Sequence, residues 1–196
     1  MLKEQFQQNK IGWIKSFNDG FSQDDEGNSV PWMTYPAIEF LKKNLTKNHE
    51  IFEFGCGAST LFFAPQVKKV TGLETNFRWL GIVKEKLDIS QFTNVEMHLM
   101  ADGLTSKSYE NFPKNCEQKF DLIIIDSIKR FNCAKNSITA LKSGGSIILD
   151  DSERKNYKKI FDFFTAEGFL TRDFFGIAPG QLRIKNTTIF TKPEHA

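Results

Sequence analysis

The chain has 196 residues, with 26 basic and 24 acidic side chains, a net charge of +2 and 40% hydrophobic residues. That length suits one domain burying roughly 70% of the surface its unfolded form exposes, so neither a disulfide nor a metal is needed merely to fold it. The charges nearly cancel and leave no broad electrostatic footprint for nucleic acid or an anionic membrane, so a small-molecule partner is expected.

Cys56, Cys116 and Cys133 are odd in number and widely spaced, which fits neither a disulfide framework nor a paired metal motif; a reducing, cytoplasmic setting is expected. The start mixes Lys3, Glu4 and several glutamines with apolar residues, unlike the continuous apolar centre of a signal peptide. No apolar run approaches the length of a membrane span.

In chain order, residues 1–17 are expected to be helical and 18–29 to form a polar loop, together an N-terminal flank over 1–30 ahead of a principal domain over 31–196. A helix is expected over 31–45. Five short, nearly all-apolar runs follow, 51–54, 70–73, 95–100, 120–125 and 146–149, as strands covered on both faces should be. Helices are expected between them over 59–67, 76–87 and 132–141, with Lys142-Ser143-Gly144-Gly145 stopping the last. A helix over 157–167 precedes strands at 168–177 and 187–191, joined through Pro179-Gly180; they read as an antiparallel pair at one sheet edge. The whole is the grammar of an α/β fold with a mostly parallel sheet.

The first strand runs into Glu53-Phe54-Gly55-Cys56-Gly57-Ala58-Ser59-Thr60. Gly55 and Gly57 allow a backbone to approach a ligand closely. Glu74 ends the second strand, 21 residues beyond Glu53, where a carboxylate can accept both hydroxyls of an adenosine ribose. A dinucleotide site places a third glycine where Thr60 stands, and it meets a pyrophosphate, beside which Glu53 would be repelled. Glu53 instead suits a cofactor with positive amino and sulfonium groups. A nicotinamide oxidoreductase is the rival reading, disfavoured by Thr60 and by the absence of a Tyr-x-x-x-Lys pattern; a non-catalytic cofactor-binding protein is another.

With these residues the chain resembles the class I, Rossmann-like methyltransferases, whose first motif is an acid, any residue, then Gly-x-Gly-x-Gly; here Ser59 replaces the third glycine. The resemblance runs from Glu53 to Ser152 and on into the closing hairpin. It implies a seven-stranded sheet in the order 3-2-1-4-5-7-6 with the last strand antiparallel and helices on both faces. It also implies that S-adenosylmethionine is held by Glu53, Gly55, Gly57 and Ser59 at its amino-acid end, by Glu74 at the ribose and by Asp102 at the adenine, with Asp126 a further contact.

The acceptor side of such a sheet lies at the strands' carboxyl ends. Strand four ends in Asp126-Ser127-Ile128-Lys129 and strand five in Asp150-Asp151-Ser152. Close carboxylates need a proton or a bridging cation, and an oxygen-rich set suits Mg²⁺. This pattern is similar to catechol O-methyltransferase and its metal-dependent relatives, with asparagine expected where Asp151 stands. The similarity implies metal ligands at Asp126, Asp150 and Asp151, catalytic roles for Asp126 and Lys129, and a hydroxyl acceptor. The structural alternatives are helix capping for Asp126 and a solvated turn for the other two. The stretch Pro31-Trp32-Met33-Thr34-Tyr35, leading into the core helix, is placed either as an aromatic wall over the cofactor or acceptor or as core packing.

Overall fold

The computed structural model of the chain describes residues 11–103 and 105–194. A short helix α1 (Trp13–Asp19) and helix α2 (Tyr35–Asn44) precede the sheet. Strand β1 (Glu50–Phe54), helix α3 (Ala58–Phe63), β2 (Lys69–Glu74), α4 (Phe77–Ser90) and β3 (Val95–Leu99) make up its first half. Then come α5 (Lys107–Asn115), β4 (Phe120–Ile125), α6 (Arg130–Ser137), β5 (Leu141–Leu149), α7 (Lys158–Ala166), β6 (Leu170–Gly176) and β7 (Lys185–Thr191).

The seven strands form one sheet in the order β3-β2-β1-β4-β5-β7-β6. Strands β1 to β5 pair in parallel, and β7 runs antiparallel to both β5 and β6. The expected topology is the observed one. The closing strands do pair at one edge, with β7 inserted beside β5 and β6 outermost.

Side chains alternate across the sheet, as the pleat requires. Ile123 and Ile125 of β4 pack with Phe52, Phe54, Tyr109, Phe164 and Phe190 beneath α5, α6 and α7. Leu122 and Ile124 pack on the other face with Ile38, Leu41, Phe63 and Val70 beneath α2 and α3. A third cluster seats α4 through Val83 and Leu87 against Cys56, Ala58 and Phe21. Both faces are thus covered, which explains the near-continuous apolar character of the central strands.

The elements differ locally from the sequence expectations. The N-terminal helix is described only as α1, since residues 1–10 of the expected helix lie outside the described residues. Helix α2 begins at Tyr35 because Thr34 is extended after bends at Trp32 and Met33, with Thr34 N–H bonded to Thr187 Oγ1 at 3.1 Å and its hydroxyl to the Phe174 carbonyl at 2.9 Å. Lys142–Gly145 does not stop a helix but belongs to β5, where the pairing slips between Phe120 and Leu122 and Gly144 takes φ +72°, a strand bulge. Helix α5 was not among the expected elements. No helix among the described residues is long and apolar enough to cross a membrane.

Candidate cofactor and active site

β1 lies at the centre of the sheet, with Phe54 paired to Leu73 on one side and Ile125 on the other. The chain leaves it at Gly55, which has φ +92°, and a Cβ there would sit 2.6 Å from the Asp126 carbonyl oxygen. Only glycine fits that close approach without displacement. Thr60, the first residue that breaks a dinucleotide motif, serves to brace the turn, since its hydroxyl accepts from Gly57 N–H at 3.0 Å and donates to Glu53 Oε2 at 2.6 Å. Glu53 is fully buried, and its Oε1 has no hydrogen-bond partner. Burial pushes its pKa up to about 7, the nearby hydroxyls of Ser59 and Thr60 opposing the rise and the charge of Asp126 adding to it.

Glu74 closes the other side of the turn. Its Oε2 accepts from Cys56 N–H at 3.1 Å, and its Oε1 accepts from Thr75 and Asn76 N–H at 2.7 and 2.8 Å. One carboxylate therefore ties the glycine-rich turn to the start of α4. Asn76 caps that helix through Trp79 N–H at 3.1 Å, which places the indole over the turn, where Nε1 donates to the Cys56 carbonyl at 2.6 Å. Trp32 stacks on Trp79 with ring centroids 6.4 Å apart and planes 15° from parallel. Together with Met33, Gly55 to Ser59, Glu74 and Asp126 they enclose a cavity of about 190 Å³.

Of the expected cofactor residues, Gly55, Gly57, Ser59, Glu74 and Asp126 line this cavity, and Glu53 lies bonded beneath the turn through Thr60. Asp102 is exposed, and its backbone carbonyl caps the following turn by accepting from Thr105 and Ser106 N–H, both at 2.9 Å. It does not line the cavity. Trp79 was not singled out from the sequence; an aromatic three residues after a cap-forming Asn76, itself just past Glu74, is the signal that marks it.

At the ends of β4 and β5 every carboxylate has a cationic partner. Arg130, largely buried, donates to Asp126 Oδ1 at 2.6 Å, to the Ser127 carbonyl at 3.0 Å and to the Asp150 carbonyl, and lies 5.3 Å over the Tyr157 ring. Lys185, the first residue of β7 and 1% exposed, places its ammonium 2.5 Å from Asp150 Oδ2 and 2.7 Å from Asp151 Oδ1. Asp150 Oδ1 accepts from the Thr187 hydroxyl at 2.8 Å. Asp151 also accepts from Arg183 at 2.6 Å and from Arg154. Burial, then the charge of Asp126, pushes Asp150 up to about 7 against the pull of Lys185. Burial raises Asp151 too, but Lys185, Arg154 and Arg183 hold it below the usual carboxylate range. Burial works against the charge on Lys185, yet the two aspartates keep its pKa above that of an ordinary lysine.

This arrangement corrects two expectations. Mg²⁺ on Asp126, Asp150 and Asp151 does not fit: it wants near-octahedral oxygen ligands at roughly 2.0–2.1 Å, whereas these carboxylates already face Arg130 and Lys185, and no described group of three His, Cys, Asp or Glu side chains is arranged to hold a metal. Lys129, expected beside Asp126, turns away: it has φ +50°, its ammonium donates to the Ser106 carbonyl at 3.0 Å, and Glu110 is 4.0 Å distant.

No protein-family model matches the chain, and no curated protein matches it by sequence. Solved structures are similar to it in three dimensions. An rRNA methylase from Streptococcus thermophilus superposes with a TM-score of 0.61 at 15% identity, over 81% of this chain and 96% of that one. A SAM-dependent O-methyltransferase from Thermotoga maritima gives 0.61 at 15% identity, over 84% of this chain and 68% of that one. The N-methyltransferase NodS from Bradyrhizobium japonicum, in complex with S-adenosyl-L-homocysteine, gives 0.56 at 16% identity, over 79% and 82%. With the sheet order and the strand-to-helix turn at Gly55, these likenesses show that the chain adopts the fold of the class I methyltransferases.

Proposed function

We propose that the chain is an S-adenosylmethionine-dependent methyltransferase acting on a small-molecule acceptor, with a hydroxyl as the acceptor group. The observation that carries this reading is Glu53 Oε1, a buried acceptor with no partner next to a glycine-rich turn. A buried, unsatisfied carboxylate oxygen is costly, and the cationic amino group of this cofactor is a partner that would relieve the cost. Glu53, Gly55, Gly57 and Ser59 would hold the amino-acid end, Glu74 the ribose, and Asp102 the adenine from the exposed turn after β3.

The cofactor supplies a methyl group on a positively charged sulfur. The protein's own residues bind, orient and exclude water: Glu53, Glu74 and Asp126 set a negative field that favours such a cation, and the Trp32 and Trp79 rings wall the cavity from solvent. Asp126 rather than Lys129 borders the cavity, so Asp126 Oδ2, the oxygen that Arg130 does not bond, takes the proton of the acceptor hydroxyl. Ligand sites commonly reach roughly 300 Å³ or more, and this cavity holds about 190 Å³; the Trp32 and Trp79 rings therefore part when cofactor enters. The structural neighbours include enzymes named for rRNA, oxygen and nitrogen methylation, so the acceptor rests on the chain's own features: a near-neutral charge and an acid-lined cavity.

Titration calorimetry with S-adenosylhomocysteine and, separately, NADH tests the reading. Binding of the first and none of the second is expected. Tight NADH binding, or no binding of S-adenosylhomocysteine, would overturn it.

A further inference from the structure

We propose that Lys185 is a built-in cation standing where the acidic strand ends would otherwise call for a metal ion, and that the same ammonium fixes the Trp32 wall of the cavity. The second half of this inference rests on the methyltransferase reading; the first does not.

An ammonium has three N–H donors and no acceptor. All three of Lys185 are matched: Asp150 Oδ2 at 2.5 Å, Asp151 Oδ1 at 2.7 Å and the Trp32 carbonyl at 3.1 Å. The side chain is 1% exposed and Asp150 is 2% exposed, so neither charge is screened by water. Asp150 and Asp151 are consecutive carboxylates at the end of β5, and their mutual repulsion in a dry site demands a counter-charge. β7 supplies it because its antiparallel direction brings its first residue to the carboxyl ends of the parallel strands. Thr187, two residues on, donates to Asp150's other oxygen, so both carboxylate oxygens already have a protein partner.

The third bond reaches the bent segment 31–34 that leads into α2. Thr34 N–H to Thr187 Oγ1 at 3.1 Å and Tyr35 N–H to the Ile177 carbonyl at 3.0 Å pin the same segment further along. With its carbonyl held by Lys185, the Trp32 backbone is fixed and only its indole is left to rotate away from Trp79. Lys185 is thus a positioning residue: it touches neither the turn nor the cavity, yet it sets the wall that faces both.

The test uses the full chain. Wild type is expected to show the same melting temperature with and without millimolar Mg²⁺. Lys185→Ala should melt lower and bind S-adenosylhomocysteine roughly tenfold more weakly, the effect of one lost charge-assisted hydrogen bond; ethylammonium, which returns a like cation to most of the deleted volume, should restore both. Tryptophan fluorescence should shift in Lys185→Ala and not in the same variant carrying Trp32→Phe. If Lys185→Ala fails to fold, a Lys185→Met, Asp150→Asn, Asp151→Asn protein removes all three charges together. It should fold and still bind S-adenosylhomocysteine weakly, because the Trp32 carbonyl has no donor.

Stabilisation of wild type by Mg²⁺, or an unchanged melting temperature in Lys185→Ala, would overturn the built-in cation. Wild-type affinity for S-adenosylhomocysteine in the charge-free protein would overturn the positioning role. A wild type that binds no S-adenosylhomocysteine, with the melting and fluorescence results as expected, removes the methyltransferase reading and leaves the internal cation standing.

Discussion

Replacing Glu74 with glutamine exchanges one oxygen for an amide nitrogen, and the geometry at the end of β2 leaves no harmless place for that nitrogen. Both carboxylate oxygens accept backbone N–H groups: Oε2 from Cys56 at 3.1 Å, Oε1 from Thr75 at 2.7 Å and Asn76 at 2.8 Å. With the amide turned one way, its NH₂ confronts Cys56 N–H; turned the other way, it confronts two donors at once. The first is cheaper. It forfeits one charge-assisted bond and weakens two others to neutral strength, about 2.5–7 kcal/mol in all at roughly 1.5–3 kcal/mol for a charged hydrogen bond and about 1 for a neutral one. Little of this is screened, since Glu74 is 8% exposed and Cys56 5%. Urea denaturation measures the loss directly. A carboxylate has about four lone-pair positions, and three are taken by backbone donors, so Glu74 retains room for one strong ribose bond. Glu74→Ala should accordingly weaken S-adenosylhomocysteine by about 10- to 100-fold. A Glu74→Gln protein as stable as wild type would refute the backbone lock, and unchanged affinity in Glu74→Ala would remove Glu74 from the ribose role.

Glu53 carries a pH dependence of definite sign. Its folded-state pKa of about 7 lies above the ordinary 4.5, so between those values the folded protein holds a proton that the unfolded chain releases. Stability therefore falls as pH rises through that window and levels off above about 7, by an amount on the order of 3 kcal/mol. The burial that raises Asp150 acts alike in both proteins, so the measurement is the difference between wild type and Glu53→Gln in denaturation midpoints across pH 4.5 to 7. Equal slopes would show that Glu53 ionises normally. Ligand binding should run the other way: wild-type affinity for S-adenosylhomocysteine rises with pH through about 7, and Glu53→Gln is flat. Gly55→Ala forces a Cβ onto a φ of +92° and to 2.6 Å from the Asp126 carbonyl, which should cost roughly 2–4 kcal/mol; an unaltered thermal midpoint would show that the turn relaxes freely.

The parts of the fold that local pattern reveals are those whose burial is uniform. Strands β1, β2 and β4 are covered on both faces and read as largely apolar runs; Glu53 and Glu74 stand out because buried acids in such runs are exceptional. Helix α5 escaped notice although Tyr109, Phe112, Pro113 and Cys116 repeat at helical spacing and Tyr109 and Pro113 are buried. Pro113 reads as a breaker, and the helix does end two residues beyond it, at Asn115, so the proline interrupts only its last turn. Lys142–Gly145 misled in the opposite sense, since two glycines that ordinarily end a helix here let β5 bulge and resume pairing.

The acidic strand ends mark the limit of reading along the chain. Asp150 and Asp151 look like metal ligands because Arg154, three residues from Asp151, is the one cation beside them in sequence that answers either; their shared partner, Lys185, lies 35 residues from Asp150 and becomes adjacent only when β7 enters the sheet beside β5. The first half of β7 is correspondingly hard to recognise. Lys185, Asn186, Thr187 and Thr188 are all buried, yet as a string they resemble a solvated loop, so a pattern-based strand starts late, at Thr187. Their polarity has one physical explanation: each answers a polar group on a neighbouring element. Lys185 meets Asp150 and Asp151, Asn186 and Thr188 meet Asp173 of β6, and Thr187 meets Asp150 and Thr34. A buried polar strand start is thus the other half of an acid cluster seen elsewhere in the chain, and with the inserted antiparallel strand in the inferred topology, a cation on it becomes the first candidate to weigh against a metal.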